Sequence, residues 1–209
     1  MRCIGRRYAP TATLAISLIA AAASVVAPPS AVGGEAQQII PDIIISSTIP
    51  ANGDLNPYGV AFVPPGFPKG GAIAPGDILV SNFNGASMTN PAGIQGTGTT
   101  IIKLTPNGLV AAPGSATTFF QGLPPPGLGL TTALGVLQRG FVLVGNVPTS
   151  GGTIQSGSLL FLDRNGNQLS NSPYTNALVN DPWDMTIVDG FDHATVFVSN
   201  VNSTTVPKP

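Results

Sequence analysis

Three short runs of this chain are near copies of one another: ILVSN (78–82), VLVGN (142–146) and VFVSN (196–200). Each is an apolar, partly β-branched run that ends in a small residue and an asparagine, Asn82, Asn146 or Asn200. Such a run suits a short buried strand. The copies recur after 64 and 54 residues. Self-similarity at that spacing marks a chain built from repeated supersecondary units, and it constrains the fold more than any other property.

The neighbours of each run repeat as well. NPYGVAFV (56–63), TALGVLQ (132–138) and DPWDMTIVD (181–189) precede the three copies. In the first and third, a small polar residue and a proline lead into an aromatic residue and an apolar run. In the second, Ala133 stands in the place of the proline. IIKLTPNG (101–108) and LLFLDRNG (159–166) follow the first two copies, and both end in Asn-Gly, the strongest short hairpin signal. SATTFFQ (115–121) and NQLSN (167–171) are candidate fourth strands.

Composition agrees with short strands. Gly (26) and Pro (21) are too frequent for long helices, while 43% apolar residues suffice for a core. The runs are apolar at consecutive positions, as in DILVS and SLLFL, which suits sheets covered on both faces. The expectation is an all-β chain of four-stranded antiparallel units, arranged as blades of a β-propeller, over about 56–121, 132–171 and 181–209. A β-sandwich or β-solenoid is the alternative. A propeller closes with ~4–8 blades. Roughly two and a half units therefore predict part of a longer ring, with DIIISSTI (42–49) as an extra strand.

Pro-x-Gly-Val-Ala, then an apolar strand ending in a polar residue, then Ile-x-x-Leu-x-x-x-Gly resembles the NHL-type propeller repeat. More narrowly, the chain is similar to a family of exported bacterial propeller proteins with NHL-like repeats. The resemblance covers about 43–201 and is strongest over 56–108. Asp184 departs from it where Gly59 and Gly135 stand. It implies a binding or scaffolding role outside the cytoplasm and no established reaction.

The first 36 residues have their own character. Arg2, Arg6 and Arg7 precede a 17-residue uncharged run, TATLAISLIAAAASVVA, and small residues follow. That order reads as a secretory signal peptide, hence an exported, periplasmic, extracellular or surface protein that leaves the membrane on cleavage. Beyond it, five basic residues face eight aspartates, a formal charge of −3. Nucleic acid is thereby disfavoured as a partner, since a basic patch supplies most of that affinity. Cys3 is the single cysteine and lies in the leader, so the mature chain has no disulfide, cysteine nucleophile or thiolate ligand.

Candidate site residues follow from the repeat. The loop after strand two and the start of strand one share one rim of a propeller. Tyr58, Asn82, Asn146, Trp183 and Asn200 are therefore candidates for a ligand-binding rim, although asparagines repeated in every unit also cap turns. Two long insertions interrupt the first unit: PGFPKGGAIAPG (65–76), and FNGASMTNPAGIQGTG (83–98), a length that suits a binding loop. Asp163, Asn165 and Asn167 spell D-x-N-x-N, but Gln168 and Tyr174 stand where an EF-hand needs glycine and an acid. His193 is the only histidine and no G-x-S-x-G accompanies it, so no catalytic residue, metal or cofactor is assigned. A propeller lyase or hydrolase with its acids and histidines in other blades, and an adhesive surface protein, are the alternative functions.

Overall fold

Alternating runs of Val, Ile, Leu and Phe become strands, and the Gly, Pro and Asn clusters between them become turns. The computed structural model describes residues 45–106, 110–123, 128–190 and 192–201. The predicted leader (1–36), the first Asn-Gly (107–108) and the end of the third unit (202–209) lie outside the described residues. All the described elements are strands, and every sheet is antiparallel. No helix among the described residues is long and apolar enough to cross a membrane.

The first unit is a meander of β1 (Leu55–Phe62), β2 (Ile78–Gly85), β4 (Thr100–Leu104) and β5 (Thr117–Gln121), hydrogen-bonded in that order. The 83–98 insertion adds a short β3 (Ile94–Gln95) against the end of β2. The second unit is β6 (Leu130–Leu137), β7 (Phe141–Asn146) and, beyond a small hairpin of β8 (Thr149–Ser150) and β9 (Thr153–Ile154), β10 (Ser158–Asp163). The third is β11 (Pro182–Asp189) with β12 (Ala194–Asn200). β1 and β11 each pack on β6, so the first strands of the three units are neighbours.

Two expected strands are less regular. NQLSN forms no strand but pairs with β10 through a bridge between Leu162 and Gln168, a bond from Leu169 N–H to the Phe161 carbonyl and one from Asp163 N–H to the Asn167 carbonyl. The part of 42–49 that is described, from Ile45 on, is not a strand, although Ser47 N–H reaches the Ala111 carbonyl and Ile49 accepts from Gly114 and Ala116.

Register corrects one alignment. Val60, Leu134 and Met185 each pair with the valine two residues before the repeated asparagine: Val80, Val144 and Val198. Ala133 thus occupies the place of Gly59, not of Pro57; Leu130 is the residue opposite Asn146, as Pro57 is opposite Asn82. The sequence misled because β6 carries one more residue through its bulge, between Leu130 and Leu134, than β1 does between Pro57 and Val60.

The main core lies between the first two units. Leu79, Ile101 and Phe120 of the first meet Leu134, Val144 and Leu160 of the second. The 65–76 loop is part of this core: Phe67 and Ile73 are buried in it, and the Arg164 guanidinium donates to the Lys69 carbonyl at 3.0 Å. On the far side of the first unit, a smaller cluster joins Val80, Ile102 and Ala116.

Candidate functional site

The repeated asparagines face inward. Asn82 is wholly buried, and its amide donates to the Thr48 carbonyl at 2.9 Å and to Thr100 Oγ1 at 3.2 Å. Asn146 is buried too; it donates to Ser158 Oγ at 3.1 Å and accepts from Gly129 N–H at 2.8 Å. Asn200, half-buried, donates to the Leu178 carbonyl at 2.9 Å. Each therefore ties the end of strand two to an adjoining segment, and in the first two units also to the first residue of the next long strand. Oδ1 of Asn82 and of Asn200 is buried with no hydrogen-bond partner among the described residues.

The residues ahead of the two prolines share an unusual backbone. Asn56 (φ 66°) and Asp181 (φ 56°) are the only non-glycine residues at positive φ among those described. Asn and Asp visit this left-handed region more readily than other side chains. It turns the chain so that Tyr58 and Trp183, two residues on, come together. Tyr58 stacks on Phe83 with ring centroids 4.5 Å apart, and Trp183 meets Tyr58 and Phe83 edge-on at 5.8 and 5.4 Å. Tyr58 and Trp183 are half-buried and Phe83 is buried. Two of the predicted rim residues thus form one cluster, and the asparagines do not join it. Phe83 was missed because it opens what reads as a loop.

A cleft of about 640 Å³ opens beside the 83–98 insertion. Thr97 and Thr99 line one side, Thr149, Ser150 and the Gly151-Gly152 turn the other, and Gln121 and Asp54 also border it. Its walls are held by backbone bonds between units: Thr149 N–H donates to Gly96 at 2.9 Å and Leu130 N–H to Gly98 at 3.2 Å. Asp54 is buried, and its Oδ2 accepts from Thr99 N–H (2.7 Å), Thr99 Oγ1 (3.0 Å) and Thr100 Oγ1 (3.0 Å). The carboxylate is therefore an anchor for β4. Gln121 and Ser150 are exposed, and no cationic side chain among the described residues lines the cleft. The lining is mixed: hydroxyl, amide and backbone groups together with the Asp54 carboxylate and the apolar side chains of Ala86 and Ile94. Of its parts, sequence reasoning singled out the 83–98 insertion and missed Asp54 and the 149–154 hairpin.

The remaining acidic groups have local roles. Both Asp163 oxygens are taken up inside its turn, by Asn165 and Asn167 N–H at 2.8 Å and by the Asn167 amide at 3.0 Å. Partial desolvation pushes its carboxyl up, but these donors outweigh it and hold the group below the usual carboxylate value. Gly166 (φ 82°) completes the turn, so D-x-N-x-N here builds a hairpin. His193 is exposed and pairs through Nδ1 with the adjacent Asp192 at 2.5 Å. Asp181 is buried; desolvation raises its carboxyl, against a hydrogen bond from Gly157 N–H, and its Oδ1 has no partner among the described residues. Comparisons of the chain with protein-family models, with curated proteins and with solved structures find no match.

Proposed function

We propose that the chain is an exported binding module of β-propeller type, similar to NHL-repeat proteins, that takes a neutral, hydroxyl-rich ligand such as a glycan in the cleft between its first two units. The propeller reading is supported by the meander order of the first two units and by the succession of first strands, β1 on β6 and β6 on β11. The observation that carries the binding reading is the cleft itself. Its volume of about 640 Å³ falls in the ~300–1,000 Å³ range of small-molecule sites. Among the described residues its walls offer hydroxyl, amide and backbone donors and acceptors, the Asp54 carboxylate and apolar surface at Ala86 and Ile94, with no positive charge, so anionic ligands are poorly served and a sugar, with both polar and apolar faces, well served. The 83–98 insertion and the 149–154 hairpin that form it are cross-braced, which lowers the entropy lost on binding.

The test is a screen of neutral oligosaccharides against the mature chain, followed by titration of Gln121→Trp and Ser150→Trp. Both positions are exposed, so the indoles fill the cleft without disturbing the core. Expected is a loss of binding of about tenfold or more in each variant. Binding that is unchanged in both, and falls in Tyr58→Ala instead, moves the site to the aromatic cluster and overturns the cleft.

A further inference from the structure

The register sets up a position-by-position comparison of the three units, and it exposes an imbalance at the ends. One face of each unit carries the residues three before and one after the repeated asparagine. In the first unit these are Leu79 and Phe83, 0% and 7% exposed; in the second, Leu143 and Val147, 2% and 4%. In the third they are Phe197 and Val201, and they are 58% and 60% exposed. Val188 follows the same rule. It matches Val63, which is 2% exposed, yet it is itself 63% exposed. Residues of core type at core positions thus stand in the open, side by side, on one face of β11–β12.

The opposite end has the reciprocal imbalance. Leu134 and Val136 of β6, and Met185 and Ile187 of β11, are the side chains with which each unit packs on the one before. Their counterparts in β1 are Val60 and Phe62, 55% and 68% exposed. The rest of that face is covered, since Val80 and Ile102 lie under the 111–116 segment. The chain therefore shows a bare set of inserting side chains at one end and a bare receiving face at the other, matched by the packing rule it uses twice internally.

We propose that the occupant of each bare surface is a second copy of this chain, with Val60 and Phe62 of one copy seated on Phe197, Val188 and Val201 of the other. This rests on the propeller reading above. The argument for a second copy is continuity: the contact is a repeat of the two unit-to-unit contacts already present.

The test uses the full chain with Cys3→Ser as background, leaving no other thiol. Phe62→Cys and Phe197→Cys variants are treated with a short thiol-specific cross-linker, singly and mixed, and mass is followed by sedimentation. Expected is a dimer whose cross-link forms in the mixture and not in either variant alone. In addition, Phe197→Lys should weaken association about tenfold or more. A monomer at all concentrations, or cross-links within either single variant, overturns the proposal. Trp183, the only tryptophan, separates the two failures. If its emission remains that of a ring packed on Tyr58 and Phe83 in a monomer, the unit packing stands and only the second copy is wrong. Solvent-like emission sinks the propeller reading itself.

Discussion

At the residue scale, Asp181 and Asn56 are the same position filled by two side chains, and the difference has a sign. Both adopt the left-handed backbone ahead of proline. Asn56 satisfies its amide by donating to Asn84 Oδ1 at 3.1 Å, whereas Asp181 buries a carboxyl oxygen that has no partner among the described residues. Burial raises its folded-state pKa above the unfolded one. Stability is then fully present below the unfolded value and is lost as pH rises through the folded value. Asp181→Asn carries no charge to desolvate and should accordingly stabilise the chain at pH 7, and the gain should vanish in acid below pH ~3.8. Thermal melts at both pH values check this; a variant that melts lower at pH 7 refutes it. The repeated asparagines give a graded companion. Asn82→Ala removes two hydrogen bonds at a fully buried site and should cost about 2–3 kcal/mol, with Asn146→Ala close behind. Asn200→Ala, half-buried with one bond, should cost about 1 kcal/mol or less in urea titrations.

At the scale of elements, the units meet through small residues on the first strand, and these differ in what opposes them. A Cβ on Gly59 would lie 2.6 Å from Ser81 Oγ, 2.8 Å from the Thr132 carbonyl oxygen and 2.9 Å from Leu134 Cβ, so backbone must move. A Cβ on Gly135 would meet chiefly the terminal Ile187 Cδ1, at 2.3 Å, which can rotate away. Gly59→Ala should therefore destabilise by about 1–3 kcal/mol and Gly135→Ala by clearly less, as denaturant midpoints would show. Equal losses would mean that β11 is packed as rigidly as β6. These contacts mark the limit of what the sequence discloses. The long strands are legible because their alternation and the terminal asparagines are local signals. The true alignment of β6 is not, because a bulge between Leu130 and Leu134 absorbs a residue without leaving a proline or glycine to mark it. The cleft is half legible. The 83–98 insertion stands out by length, but Asp54 reaches Thr99 across 45 residues, and the 149–154 hairpin is two residues per strand. Long-range polar pairs of that kind leave no periodicity to read.

Across the whole molecule, stability should be uneven from one end to the other. The first two units share a core of fully buried Leu79, Ile101, Leu160 and Leu162. Among the described residues the third is a two-stranded hairpin whose side chains beyond Pro182 are at best half-buried, and a hairpin of that kind is marginal by itself. Its hold on the rest runs through Met185 and Ile187 against β6 and through Trp183 against Tyr58 and Phe83. In chains built from stacked units, stability is nearly a sum of local and nearest-neighbour contributions, so a weakly held terminal unit opens first. Trp183 lies in that unit and reports on its docking against the first. In urea, its emission should shift to that of exposed indole at a lower midpoint than the loss of far-ultraviolet β signal. The measurement belongs at concentrations low enough to keep the chain monomeric, because a second copy on Phe197 would delay the opening. Tyr58→Ala removes ring contacts worth about 0.5–1.5 kcal/mol, so it should lower the Trp183 midpoint further and move the β transition less. Coincident transitions in the parent chain, or equal shifts of both in the variant, would show that all three units unfold as one body.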